Sequence, residues 1–361
     1  MIPWARPNYH GYEKKYVNQV LKSTWLGDGI FIKNFEKIFS KYINSKSAIS
    51  VSNGTIAIHL VYLAMGLKKG DEVIVPGFGY LAAANVALQM GIKPVFADVD
   101  LETFCVTAKN IEKKITNKTK LIVVIHTYGN VCELDPIIKI AKSKKITVLE
   151  DSAESLGSKY KGKQSGGVAD IGTYSFHATK TITTGEGGAV VVNEKKKFEK
   201  LKLYRSHGCL KKKYYHLVPG HNFRLSNLLA SIGYSQLIRI KKIIKNRKKI
   251  FSFYKKYLNK KKFEIQKITK HTDFVPWTAS IKINNNFTQK KRNNIMSLLG
   301  KMGIETRNGF YSPCELAIFD KKNNLPISLM LSRRIINLPL YEGLGEKKVR
   351  YICSALDKVA K

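Results

Sequence analysis

Lys180 stands apart from the other lysines of the chain. It lies in the run Ser175-Phe176-His177-Ala178-Thr179-Lys180-Thr181-Ile182-Thr183-Thr184-Gly185-Glu186-Gly187-Gly188, between two β-rich stretches. An amine set among Ser, Thr and Gly beside a sheet is placed to have its pKa lowered, and a neutral amine forms a Schiff base with a carbonyl. The glycines that follow let the backbone turn tightly or approach a ligand. Upstream, Glu150-Asp151-Ser152-Ala153-Glu154 ends the apolar run Ile146-Thr147-Val148-Leu149. In open α/β sheets ligands gather beyond the C-terminal ends of the strands, so carboxylates there are well situated to meet one. Earlier still, Ser52-Asn53-Gly54-Thr55 joins a strand to the helical run Ile56 to Ala64. Such a helix N-terminus offers free N–H groups and a positive dipole end to a phosphate. A fourth segment, Gly220-His221-Asn222-Phe223-Arg224-Leu225-Ser226-Asn227, is polar and leads into a long helix.

Taken singly, these segments also fit a capped helix, an acidic strand end, a glycine-rich loop and a helix entry. Together they describe a Schiff-base lysine, a carboxylate and a phosphate cradle. Pyridoxal phosphate asks for that set. An aspartate paired with the pyridine nitrogen keeps the nitrogen protonated and makes the ring an electron sink for a carbanion.

The elements that must position these residues follow from the apolar pattern. From about residue 47 to 193, helical stretches alternate with the short runs Ala48 to Val51, Glu72 to Val75, Pro94 to Ala97, Leu121 to Ile125, Thr147 to Leu149, Gly172 to Phe176 and Ala189 to Val192. This alternation predicts an α/β fold with a mostly parallel sheet and helices on both faces. After Ser226 the spacing predicts one long helix through Leu258, with Leu228, Leu229, Ile232, Gln236, Leu237, Ile240 and Ile244 on its apolar side and a basic second half. Around residue 245 the chain passes from a large domain, 1–244, to a smaller α+β domain, 245–361. The smaller one carries a strand at Thr278 to Ile283 and helices near 288–302 and 345–360.

With 361 residues and a 44% apolar fraction, the chain has ample material for a buried core. The N-terminus Met1-Ile2-Pro3-Trp4-Ala5-Arg6-Pro7 lacks the layout of a signal peptide, and no apolar run has the length of a membrane span, so a cytoplasmic protein is expected. Five scattered cysteines, Cys105, Cys132, Cys209, Cys314 and Cys353, form no C-x-x-C pair and are expected to be reduced, with no metal site. The formal charge of +37 raises a nucleic-acid-binding protein as an alternative class. Its lysines are dispersed in short runs (Lys113-Lys114, Lys144-Lys145, Lys195 to Lys197, Lys211 to Lys213, Lys260 to Lys262), which reads as a solvated basic surface.

The order Asn53-Gly54-Thr55, Pro76-Gly77-Phe78-Gly79-Tyr80, Glu150-Asp151, Ser175 to Lys180 with Thr184-Gly185-Glu186-Gly187-Gly188, and Gly220-His221-Asn222-Phe223-Arg224 resembles the DegT/DnrJ/EryC1/StrS sugar aminotransferase family. The likeness runs the length of the chain. It implies the fold-type-I architecture of pyridoxal-phosphate-dependent transferases and a homodimer with shared active sites. Lys180 would hold the cofactor and then shuttle a proton, Asp151 would pair with the pyridine nitrogen, and Gly54, Thr55 and Ser175 would bind the phosphate. Asn222 would reach that phosphate from the other subunit, Tyr80 would stack on the ring, and Glu154, where many members place Gln or His, would lie near the phenolic oxygen. Trp25, Gly29, His126, His216 and Arg307 resemble substrate-side positions. His177, three residues before the lysine, is expected to be packed or hydrogen-bonded. The implied reaction passes an amino group from L-glutamate to C4 of a nucleotide-linked 4-keto-6-deoxy sugar. The sugar nucleotide expected is GDP-4-keto-6-deoxy-D-mannose, with UDP- or dTDP-linked 4-keto-6-deoxyglucose as the alternative.

Overall fold

A computed structural model describes residues 1–360 except 210, 211, 213, 285–287 and 322. Lys211 and Lys213 of the basic run therefore lie outside the described residues. The strands are β1 (Ser47–Val51), β2 (Glu72–Pro76), β3 (Lys93–Ala97), β4 (Thr119–Ile125), β5 (Thr147–Asp151), β6 (Lys159–Tyr160), β7 (Lys163–Gln164), β8 (Ile171–Ser175), β9 (Gly188–Val192), β10 (Phe263–Ile265), β11 (Thr272–Asp273), β12 (Ala279–Ile283), β13 (Arg307–Asn308) and β14 (Ile335–Leu338). The large sheet has the order β1-β9-β8-β5-β4-β2-β3. Its pairings are parallel except at β9, which runs antiparallel to both β1 and β8. Each of the seven runs expected from the sequence is a strand of this sheet.

Period-two alternation decides which side chain enters which layer. Val73, Val75, Leu121 and Val123 point into a core shared with Ile58, Leu60 and Val61 of the helix Gly54–Ala64. Ile74, Ile122, Val124 and Val148 point the other way, against Ile137 and Ala141 of the helix Leu134–Ser143. Both faces of the central strands are thus covered, which is why they are apolar at successive positions.

Because β1, β8, β5, β4, β2 and β3 all run the same way, their C-terminal ends share one edge. On that edge lie Asn53 to Thr55 after β1, Tyr80 after β2, His126 after β4, Asp151 at the end of β5 and Ser175 at the end of β8. Lys180 is carried by the loop of the β8–β9 hairpin.

A second sheet, of order β10-β12-β14-β13, forms the C-terminal core with the helices Gln289–Lys301 and Glu346–Val359. A small ribbon, β11-β6-β7, completes the strands. The N-terminal segment joins the C-terminal core, since Ile2 bridges to Ile304 and the Trp4 N–H donates to Glu305 Oε2 at 3.0 Å.

The structure departs from the expected single helix after Ser226. Two helices, Asn227–Ile238 and Ile240–Tyr257, meet at Arg239, whose backbone leaves helical angles (φ −94°, ψ 4°). The Arg239 guanidinium reaches Glu13 at 3.7 Å and Glu342 at 3.5 Å there. No Pro or Gly marks the break, so periodicity alone runs straight through it. Residue 245 falls inside the second helix, which places Ile240 and Ile243 in one core and Ile250, Phe251 and Tyr254 in the other.

Candidate active site

The segment expected to cradle a phosphate is positioned by strand register. Val51 pairs with Gly188 across β1–β9, and Gly188 pairs with Ser175 across β9–β8. The end of β1, and with it the start of the helix Gly54–Ala64, is therefore fixed beside Ser175. Asn53 caps that helix by accepting the Ile56 N–H at 2.9 Å. The first-turn N–H groups of any helix have no intrahelical acceptor, and those of Gly54 and Thr55 open toward the sheet edge. A Cβ at Gly54 would stand 2.8 Å from the Ser175 Cβ. Replacing Gly54 by valine is expected to push Ser175 out of place and weaken cofactor binding at least tenfold, about 1.4 kcal/mol. Titrating the apoprotein with pyridoxal phosphate, followed by absorbance, checks this.

Lys180 points back under the sheet edge with 13% of its side chain exposed. Its Nζ lies 3.8 Å from the centre of the Trp277 ring and 3.8 Å from Glu154 Oε1. The Trp277 Nε1–H donates to the Thr179 carbonyl at 2.8 Å, tying the ring to the residue before the lysine. Burial pushes the Lys180 amine below its ordinary pKa, while Glu154 and Asp151 pull it up. Asp151 is buried and accepts the Ala153 N–H at 3.1 Å. Burial pushes its carboxyl up, and Ala153, Lys180 and His126 pull it down.

Glu154 is buried as well. Its Oε2 accepts the Tyr128 N–H at 2.8 Å, and its Oε1 is buried without a hydrogen-bond partner. Burial raises this carboxyl to about 7 against the pull of Lys180 and of the Tyr128 N–H. Tyr128 makes its contact from a left-handed backbone (φ 59°, ψ 17°), a conformation that costs a non-glycine residue about 1–3 kcal/mol. Stacking of its ring on Trp277 and Phe310, with centroids 6.2 and 5.2 Å away, holds it there. Next to it Gly129 has φ +102°, and a Cβ would come within 2.1 Å of the Val275 carbonyl oxygen. Gly129→Ala is expected to lower stability by about 2–3 kcal/mol, read from the denaturant midpoint.

The structure corrects the assignment of His126 to the substrate. The residue is fully buried, with Nε2 on Glu150 Oε2 at 2.9 Å and Nδ1 taking the Cys132 N–H at 3.2 Å. The second contact makes Nδ1 an acceptor, so Nε2 carries the proton toward Glu150. Glu150 also accepts the N–H groups of Gly166, Val168 and Ala169. Both ring nitrogens are spent within the protein.

The remaining expected site residues lie at the surface. Trp25 and Tyr80 are 68% and 62% exposed, although the Trp25 carbonyl accepts the Asn227 Nδ2–H at 2.8 Å. Gly29 packs so closely on Asn227 that a Cβ would stand 2.4 Å from that amide nitrogen. Asn222 is exposed beside the cradle, since Phe223 takes the Ser52 N–H and Arg224 bridges to Val51. Its Oδ1 accepts from Arg224 Nε at 3.0 Å. His216 Nδ1 is 2.6 Å from the His207 carbonyl, and Arg307 pairs with Glu305 at 2.6 Å. His177 is held by Thr179 at 3.0 Å and stands 3.7 Å from Glu186. Among the described residues, no hydrogen bond, ion pair or ring contact joins Trp25, Gly29, His216 or Arg307 to Lys180.

Sequence reasoning missed Trp277 and Tyr128. Only the rarity of tryptophan, 3 in the chain, signals the first, and nothing local signals the left-handed backbone of the second. No group of three or more potential metal ligands occurs among the described residues, and their five cysteines are unpaired.

Pyridoxal phosphate fits what is present. The cradle at Gly54, Thr55 and Ser175 suits its phosphate, the buried Asp151 carboxylate suits its pyridinium nitrogen, and the unpartnered Glu154 Oε1 faces the space beside the lysine. Comparison with known proteins agrees with this reading. The GDP-perosamine synthase of Escherichia coli O157:H7 is 40% identical over 360 residues, 99% of this chain and 98% of the relative. That of Vibrio cholerae is 36% identical over 361 residues, again 99% and 98%. The solved PLP form of the putative sugar aminotransferase Spr1654 from Streptococcus pneumoniae superposes with a TM-score of 0.94 at 27% identity, covering 99% of this chain and 98% of that one. The sequence profile described as the DegT/DnrJ/EryC1/StrS aminotransferase family matches residues 8–357, and with the lysine, aspartate and phosphate cradle in place, the chain belongs to that family.

Proposed function

We propose that the protein is a pyridoxal-phosphate-dependent aminotransferase that moves the amino group of L-glutamate to C4 of GDP-4-keto-6-deoxy-D-mannose, forming GDP-perosamine. The observation that carries the reaction type is a buried lysine and a buried aspartate beside a phosphate cradle on one sheet edge. The full-length similarity to two GDP-perosamine synthases supports the substrate.

When bound, the cofactor supplies an electron sink for the pair left behind as a proton leaves the substrate carbon. The chain supplies the rest. Asp151 holds a negative charge under the site, where burial keeps water from screening it. The first-turn N–H groups at Gly54 and Thr55 and the Ser175 hydroxyl fix the phosphate, which orients everything attached to it. Lys180 Nζ takes and returns the migrating proton, and the Trp277 ring confines that amine to one side.

A homodimer completes the site in this reading. Tyr80, exposed at the open edge, and the exposed Trp25 suit cover by a second subunit, and Asn222 would then serve its partner's phosphate. A mixture of Asn222→Ala and Lys180→Ala proteins should regain activity that neither has alone, because exchange creates one intact site per mixed dimer. No recovery after verified subunit exchange would place Asn222 in its own subunit's site. No helix among the described residues is long and apolar enough to cross a membrane, and we place the enzyme in the cytoplasm, where its sugar nucleotide would be made.

The deciding experiment supplies the purified protein with L-glutamate and, in parallel, the GDP-, UDP- and dTDP-linked 4-keto-6-deoxy sugars. A yellow protein bleached by glutamate, with an aminated GDP sugar found by mass spectrometry, is the expected result. Turnover only of the UDP or dTDP sugars would overturn the substrate, and a protein that stays colourless with added cofactor would overturn the reaction type.

A further inference from the structure

Lys180 and Glu154 form a closed pair. The amine has the Trp277 ring face on one side and Glu154 Oε1 on the other, each 3.8 Å from Nζ. Glu154 has committed one oxygen to the Tyr128 N–H and keeps the other buried, without a hydrogen bond and with the Lys180 amine as its ion-pair partner. A buried carboxylate oxygen with no donor is costly unless a cation or a proton visits it. The chain maintains this arrangement against local preference, since Tyr128 must adopt its left-handed backbone to bring its N–H to Glu154. A neutral Gln at this position would leave Asp151 as the lysine's remaining carboxylate neighbour.

We infer that Glu154 is the proton acceptor for Lys180, taking a proton from the ammonium at Oε1 and returning it, so that the amine is neutral when it bonds to carbon. The step balances within the pair. One N–H bond of the ammonium breaks, one O–H bond of the carboxyl forms, and the net charge of the two groups stays at zero. Glu154 acts directly on the reacting nitrogen, which makes it a catalytic residue. The inference rests on Lys180 being the cofactor-bearing lysine. The charged and titratable groups that face Glu154 are Lys180, Asp151 and the Tyr128 phenol. Burial keeps its carboxyl up and Asp151 adds to this, while Lys180 and the Tyr128 N–H draw it down.

The test uses the cofactor-free protein and needs no turnover. Wild type and Glu154→Gln are labelled with a lysine-directed acylating reagent across a pH series, and the Lys180 peptide is quantified by mass spectrometry. With Glu154 as the acceptor, wild-type Lys180 should already be labelled at pH values where the Glu154 carboxyl still carries its proton, and this early rise should be absent from the profile of Glu154→Gln, which reports the amine without that partner. Labelling of wild type that begins only after the Glu154 carboxyl has lost its proton would overturn the inference. Infrared difference spectra of the same two proteins report the carboxyl itself. A protonated carboxyl band that disappears as the pH rises through neutrality in wild type and is missing from Glu154→Gln is expected. A Glu154 that stays ionised throughout the folded range would sink the idea. The yellow colour with added cofactor tests the function separately, so a colourless protein with the expected labelling shift would reject the aminotransferase and keep the pair.

Discussion

Lys180→Ala is expected to lower the rate of amino transfer by about 10⁴-fold or more, an effect of about 5.4 kcal/mol on the barrier. In the proposed reaction the amine has two tasks, to hold the cofactor covalently and to carry the migrating proton, and positioned acid–base catalysis alone contributes about 10²–10⁴. The fold should survive. Lys180 has its charge between Trp277 and Glu154, and without it the Glu154 carboxyl rises further and stays protonated, which removes the cost of a buried unpaired charge. Matching circular dichroism with lost turnover, and partial recovery on adding a small primary amine, would locate the defect in the missing nitrogen. A variant within tenfold of wild type would remove Lys180 from the reaction.

Asp151→Asn should be the next most damaging change, lowering the rate by about 10³-fold, or about 4 kcal/mol. The substitution keeps volume and shape, so what it removes is the charge. Burial pushes the Asp151 carboxyl up, and the Ala153 N–H, Lys180 and His126 hold it down. An amide cannot keep a pyridine nitrogen protonated, and the electron sink is lost with that proton. Lys180 also loses a negative neighbour, so its amine becomes neutral at lower pH and the acidic limb of the rate profile should move to lower pH. A variant that binds cofactor and turns over at the wild-type rate would show that Asp151 only fills space.

The parts of this site that could be read from the sequence are those whose chemistry needs a particular residue in a local setting. Lys180 among small polar residues, Asp151 at a strand end and Asn53-Gly54-Thr55 at a helix start each carry their own signal, and strand register brings them to one edge. The surroundings of the amine were not legible. Trp277 is far from Lys180 in sequence, and its position depends on the Thr179 carbonyl and the Tyr128 ring. Tyr128 holds its backbone angles only because tertiary packing imposes them. Family resemblance alone places His126 on the substrate side, yet Glu150 and the Cys132 N–H claim both its nitrogens. The helix break at Arg239, whose side chain lies near two distant carboxylates, Glu13 and Glu342, carries no Pro or Gly that a residue-type rule would have found.

The helix Ile240–Tyr257 has mechanical meaning. Ile243 is embedded beside the large sheet and Ile250 beside the small one, two turns apart on a single rod. A rod anchored at both ends transmits displacement rather than absorbing it, because bending it would stretch the hydrogen bonds of every turn between the anchors. The other end of the linkage is Arg247, on the same rod, which donates to the carbonyls of Pro276 and Trp277. One helix thus ties both cores to the backbone of the ring against which the lysine rests.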